Sequence, residues 1–248
     1  MKMIDVNAAF GFWPIQRFSN ETLEGLDNAF AKVDVEEVWL SAIEGILYPE
    51  PDSWDKKLFE RLSAFPRFRS VKTVNPVLAN WQKSWDALSG FSLAAVKLFP
   101  NYHGYSLDAP YVADICEKAA AEKLPVLIQM RVNDERNQPH FLQVGGVPAQ
   151  DVVALSTRHP NTQIIALCPY NQEFSILAKG GANLLMDIAF LDGAAILERM
   201  VKNVPQERIV FGSGEAFVHV YSAVLKLRHS RLPAETIRQI ASENLRAH

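Results

Sequence analysis

The six histidines are His103, His140, His159, His219, His229 and His248, and no two are spaced His-x-His or His-x-x-x-His, so no local metal motif is visible. His103 stands in Asn101-Tyr-His-Gly-Tyr105, where Gly104 permits a tight turn and the imidazole suits proton transfer near neutral pH. Lys97 and Arg131 each close a Val/Ile/Leu-rich run and suit a carboxylate or phosphate. The competing reading pairs them with Glu44, Asp187 or Glu215. Asp134, Glu135 and Arg136 bring acid, base and anion binder into consecutive positions, although such runs are commonly paired among themselves. Cys168 would need a cation or a helix N-terminus to become a thiolate, and its spacing suits an inert buried thiol better. No nucleophile elbow, phosphate-binding glycine loop or dinucleotide fingerprint is present, and Gly145-Gly146 alone is weak.

These residues need elements to position them. Runs rich in Val, Ile and Leu predict strands near Met3–Val6, Glu37–Leu40, Arg69–Thr73, Ala94–Leu98, Val126–Met130, Gln163–Leu167, Asn183–Met186 and Ile209–Phe211. Helical stripes fall between them, among them Leu23, Leu26 and Phe30; Trp54, Leu58 and Leu62; and Ile196, Met200 and Val201. Asp108 is expected to cap a helix over Tyr111–Glu122 with Pro110 in its first turn, and Leu124-Pro125 ends that helix before a strand. His159 and His229 read as helix-end residues, and His219 as a helix start. Eight such units in 248 residues predict an α/β chain folded as one (β/α)₈ TIM barrel over residues 1–248, with a doubly wound open sheet as the alternative. The stretch from Arg131 to Gln150 exceeds a minimal strand-to-helix connection and is a candidate lid.

In a barrel, chemistry sits where the strands end. That face collects Asn7, Ala9, Glu44, Asn75, Lys97, Tyr102, His103, Gln129, Arg131, Cys168, Asp187, Ser213, Gly214 and Glu215, with Phe12, Trp13 and Pro14 walling it. A net charge of −3, without a basic stripe, argues against nucleic acid or an anionic membrane and leaves a small-molecule or protein partner, with room for a homo-oligomer. The start lacks an apolar leader core and two cysteines make no disulfide framework, so a cytoplasmic chain is expected.

Ile4-Asp-Val-Asn-Ala-Ala9, Val96-Lys-Leu-Phe-Pro-Asn-Tyr-His-Gly-Tyr105, Leu124-Pro-Val-Leu-Ile-Gln129, Glu207-Arg-Ile-Val-Phe-Gly-Ser213 and Ser242-Glu-Asn-Leu-Arg246 resemble the strand motifs and closing helix of the amidohydrolase superfamily, in its amidohydrolase-related branch of hydrolases and decarboxylases. The resemblance implies a barrel and, in its usual members, a divalent metal held by His-x-His after strand one, by a histidine after each of strands five and six, and by an aspartate after strand eight. Those positions are here Asn7, Ala9, Gln129, Cys168 and Gly214. Two offer no donor, two a neutral amide and one a thiol, so no metal and no other cofactor is expected. A lone aspartate at position 214 would be an unpaired half-buried charge, so glycine suits a vacated site. Asp5-Val-Asn7, Gly11-Phe-Trp-Pro14, Asn133-Asp-Glu-Arg136 and Phe211-Gly-Ser213 are similar to a narrower group of that branch that lacks the metal histidines. This chain departs from it at Gln138-Pro139-His140 and Gly214-Glu215.

The expected function is binding of a small anionic, carboxylate-type ligand at the mouth. Asn7, Trp13, Glu44, Lys97, Tyr102, Gln129, Arg131, Cys168, Asp187 and Glu215 are expected to line it, with His103, Arg136 and Asp134 as candidate catalytic groups. One alternative is an active metal-dependent hydrolase or decarboxylase with relocated ligands such as His103, Glu44, Cys168 and Glu215. The other is a non-enzymatic scaffold whose mouth is plugged by Phe12, Trp13 and Phe217.

Overall fold

The computed structural model describes residues 1–139 and 143–246. His140 and His248 therefore lie outside the described residues, as does the centre of the candidate lid.

Eight parallel strands follow chain order around one sheet: β1 (Met3–Phe10), β2 (Val35–Ala42), β3 (Phe68–Thr73), β4 (Leu93–Leu98), β5 (Val126–Gln129), β6 (Ile164–Leu167), β7 (Leu184–Asp187) and β8 (Ile209–Val210). Strand β8 is short, and the seam to β1 is closed by main-chain bonds: Val6 N to Phe211 O at 3.1 Å and Gly214 N to Asn7 O at 2.8 Å. Asp5 reinforces it, because its Oδ1 accepts the N–H groups of both Asn7 and Ser213, at 3.0 and 2.9 Å. The outer layer includes helices α1 (Leu23–Ala31), α2 (Asp52–Leu62), α3 (Trp81–Ala87), the single turn α4 (Pro100–His103), α5 (Pro110–Ala121), α6 (Ala149–Arg158), α7 (Phe174–Leu177), α8 (Ile196–Met200) and α9 (Val220–Arg228). No described helix is long and apolar enough to cross a membrane.

Strand alternation organises the core. Val38, Leu40, Val96, Ile128, Ile164 and Met186 face the helices, where Leu23, Leu26, Phe30, Leu58 and Leu62 pack against the sheet as the stripes predict. The opposite set, Trp39, Val71, Ala95, Leu127, Ile165, Leu185 and Val210, fills the barrel interior. Two residues further along five of these strands, the interior turns polar, with Ser41, Thr73, Lys97, Gln129 and Asp187, all buried.

Two of the local differences from the sequence expectation have clear physical causes. Strand β1 continues four residues past Val6, because a register shift between Asp5 and Ala8 re-forms the pairing with β2 through Phe10. Helix α5 begins at Pro110, which makes Ala109 its N-cap; Asp108 lies one residue too early, and the Ser106 hydroxyl donates to its carboxylate instead. His159 and His229 are the C-cap residues of α6 and α9, and His219 is the N-cap of α9, its Nδ1 accepting from Tyr221 N at 3.2 Å.

Candidate functional site

Apart from Thr73, whose hydroxyl is unpartnered, the polar interior layer is joined by hydrogen bonds at the carboxyl end of the barrel. Asn7 is its hub. The β1 register shift lets Asn7 project inward directly after the inward Val6, which plain alternation forbids. Its Nδ2 donates to Asp187 Oδ2 at 2.8 Å and to Cys168 Sγ at 3.2 Å, while its Oδ1 accepts from Lys97 Nζ at 3.1 Å. Cys168 has a left-handed backbone at φ 57°, which turns its N–H onto Asp187 Oδ1 at 2.8 Å and its sulfur into the barrel. Gln129 Nε2 donates to Cys168 Sγ at 3.3 Å and to Arg131 O at 2.6 Å, leaving Gln129 Oε1 buried without a partner.

Lys97 carries its charge without a direct carboxylate contact. It is 3% exposed, its Nζ reaches only Asn7 Oδ1 and, at 3.5 Å, Ser41 Oγ, and it forms no ion pair among the described residues. The Phe99 ring centroid lies 5.3 Å away. Burial, opposed by nearby Cys168, Asp187 and Asp5, lowers its pKa to about 8. Burial likewise raises Asp5 to about 7 and Asp187 to about 6, in each case against hydrogen bonds that favour the carboxylate. It also pushes the Cys168 thiol well up, so Cys168 is a neutral acceptor and not a nucleophile.

Arg131 does not join Lys97 at the mouth. Its guanidinium makes a two-pronged pair with Glu173, at 2.7 and 2.6 Å, donates to Cys168 O at 2.6 Å and lies 3.9 Å over the Tyr170 ring. The partner is thus Glu173 and not Glu44, Asp187 or Glu215. The reason is local: β5 ends at Gln129, and the chain turns so that Arg131 leans over the neighbouring β6 loop. Glu173, the last residue of the turn leading into α7, also receives Tyr170 N at 2.7 Å and so fixes both.

An aromatic and aliphatic roof covers this floor. Trp13 is buried among Ala9, Ile43, Ile46, Phe99 and Val132, and meets Phe217 edge to face at 5.2 Å and Tyr102 at 6.3 Å. Burial raises the Tyr102 phenol to about 12. Beneath the roof remains a cavity of about 10 Å³, lined by Asn7, Lys97, Gln129, Cys168, Glu215 and Phe217 among others, which is room for a single water. Trp13 and Phe217 close the mouth as the plugged-scaffold reading requires, but Phe12 turns outward and is 68% exposed. Glu215 is held by Val220 N at 2.6 Å and Asn20 Nδ2 at 3.0 Å.

Other expected site residues lie away from this cavity. His103 braces two loops, its Nε2 against Gly45 O at 3.0 Å and its ring between Phe99 and Tyr105; burial lowers its pKa and keeps it neutral. Glu44 accepts from Phe12 N at 2.8 Å, and Gly11, at φ 145°, holds a backbone conformation that residues with a Cβ rarely adopt. It borders an outer groove of about 600 Å³ with Trp13, Phe18 and Arg61. Arg136 clamps Asp134 at 2.5–3.1 Å, and this hydrogen-bonded guanidinium lowers the Asp134 carboxyl to about 2. The pair edges a separate open groove of about 980 Å³ beside Tyr170, Phe190 and Lys226.

The donor set does not suit a divalent cation. Of the positions at which the resemblance would seat one, Ala9 and Gly214 have no donor, Asn7 Oδ1 already faces the Lys97 ammonium, and the Cys168 thiol resists ionisation. Nor do the relocated candidates converge: among the described residues no group of three or more His, Cys, Asp or Glu could hold a metal. Asp5, Ser41 and Glu173 were not among the expected site residues. Ser41 follows from period-two alternation beyond Trp39, whereas nothing local in the sequence ties Glu173 to Arg131.

No family model matches the chain, and no curated protein does. Solved structures do. A 2,6-dihydroxybenzoate decarboxylase from Rhizobium superposes with a TM-score of 0.75 at 11% identity, covering 99% of this chain and 98% of that one. A 5-carboxyvanillate decarboxylase from Sphingomonas paucimobilis gives 0.73 at 13% identity, with 99% and 98% covered. A dihydroxybenzoic acid decarboxylase from Polaromonas sp. JS666, with bound manganese and the inhibitor 2-nitroresorcinol, gives 0.73 at 13%, with 99% and 96% covered. At these identities the likeness is one of fold, and it runs end to end: the chain is a (β/α)₈ barrel that shares its fold with these decarboxylases.

Proposed function

We propose that the chain is an amidohydrolase-related barrel that works without the superfamily's divalent metal and binds a small carboxylate-type anion at its mouth. The observation that carries this reading is Lys97, a buried cation on the cavity floor whose ammonium touches no protein carboxylate directly. Leaving an ammonium unpaired in such a place is unfavourable unless something else brings the negative charge. The ligand class agrees with the names of the similar structures, whose substrates are aromatic acids. Entry requires Trp13 and Phe217 to separate, which joins the inner cavity to the outer groove.

The test is thermal stability and calorimetry of the purified chain with acetate, glycolate, benzoate and 2,6-dihydroxybenzoate. At least one of these anions should raise Tm and bind saturably, and Lys97→Met should abolish the effect while the variant stays folded. If none binds, the second reading takes over, in which the barrel is a scaffold; it is favoured by the closure of the mouth to about 10 Å³. Elemental analysis checks the metal-free part, which one equivalent of zinc or manganese seated at the mouth would overturn.

A further inference from the structure

We propose that Lys97 is an amine nucleophile that forms an imine with small carbonyl compounds, 2-oxo acids and aldehydes, admitted to the mouth cavity. For the 2-oxo acids this rests on the anion-binding reading above; for neutral aldehydes it does not.

Three observations carry it. Lys97 Nζ has only neutral partners, Asn7 Oδ1 and Ser41 Oγ, and both are acceptors for its protons, so neither consumes its lone pair. Lysines that must remain cations are ordinarily paired with carboxylates when buried, as Lys72 is with Asp52 at 3.0 Å in this same chain. Second, the amine lines an enclosed cavity on the reactive face of the barrel. Third, Gln129 lines that cavity and its Oε1 is a buried acceptor with no donor, and the hydroxyl of a carbinolamine is such a donor. The lowering of the Lys97 pKa to about 8 by burial acts in the same direction, increasing the share of free amine near neutral pH. The titratable groups facing it are Asp5 on β1, Cys168 after β6, Asp187 on β7 and Glu215 after β8; β2 and β5 present only Ser41 and Gln129.

The step needs no oxidant and no co-reactant. The nitrogen lone pair attacks the carbonyl carbon, the C=O π pair moves to oxygen, and one N–H proton transfers to that oxygen, giving the carbinolamine. The C–O bond then breaks, the hydroxyl leaves as water with the second N–H proton, and the nitrogen lone pair closes the C=N bond.

The experiment treats the full chain with glyoxylate, or with propanal, in the presence of cyanoborohydride, which reduces an imine to a stable secondary amine, and maps the modified peptides by mass spectrometry. Both carbonyl compounds should label Lys97 at least about tenfold faster than exposed lysines such as Lys2 and Lys56, as expected of an activated amine. The variant Trp13→Ala, which opens the roof, should label faster still, and Lys97→Arg should lose that adduct alone. Labelling confined to exposed lysines in both wild type and Trp13→Ala would overturn the proposal. Acetate binding distinguishes the two readings: if acetate binds and no Lys97 adduct forms, the imine fails and the anion site stands. If propanal labels Lys97 and no carboxylate binds, the imine stands and the anion site fails.

Discussion

Lys97 concentrates the tension in this molecule. An amine buried among an amide, a hydroxyl and an aromatic ring costs the fold stability, and stability is commonly traded in this way at functional positions. Lys97→Met keeps an unbranched side chain only one atom shorter and removes the charge. It should therefore stabilise the protein, by about 1–2 kcal/mol at pH 7, as read from chemical denaturation. A loss of stability would mean that the ammonium is structural. The same buried groups shape the pH dependence. Burial raises Asp5 to about 7, Asp55 to about 8 and Asp187 to about 6, so the folded protein holds protons that unfolded carboxylates, with pKa near 4, have released. Stability should consequently fall as pH rises from about 4 to about 8 and level off above it. Lys97 and Lys226, both lowered by burial to about 8, lose a proton on folding that the unfolded chain keeps, and they add a rise from about 8 towards 10. Denaturation midpoints across that range should trace a minimum near pH 8, and Asp5→Asn should flatten the acid limb.

Among the elements, the strands were legible in the sequence and the loops were not, for a physical reason. A buried parallel strand announces itself by its own residues, and a fixed period of two then says which of them face inward. Counting by twos along Ala95-x-Lys97, Leu127-x-Gln129 and Leu185-x-Asp187 is enough to place all six in the interior. Loop geometry instead depends on partners distant in sequence. Arg131 and Glu173 are 42 positions apart, and only the turn after β5 and the one before α7 bring them together. The pair is nearly buried, so removing one half leaves the other uncompensated. Glu173→Ala should destabilise by about 3–5 kcal/mol, whereas Glu21→Ala, which breaks the exposed pair with Arg17, should leave stability nearly unchanged. Equal effects in urea denaturation would contradict this ordering. Asn7 and Cys168 escape the period-two count because each sits at an irregularity, a register shift in one case and a left-handed residue in the other.

For the molecule as a whole, the weakest ring position is the seam between β1 and the short β8. The barrel is closed there by a few main-chain bonds and by Asp5, which ties down two N–H groups at once. Asp5→Ala leaves both without their acceptor and should lower stability by about 2–4 kcal/mol, with hydrogen exchange accelerating first at Asn7 and Ser213. Exchange that stays uniform around the sheet would show that the seam is no weaker than the rest. The pairing of Lys97 with Asn7 also acts as a ratchet. An aspartate placed at position 7 would meet the Lys97 ammonium and spend its charge on an ion pair, so a carboxylate added there alone creates no free cation ligand. A cation site centred on position 7 therefore starts with removal of the lysine, a change that by itself supplies no metal chemistry.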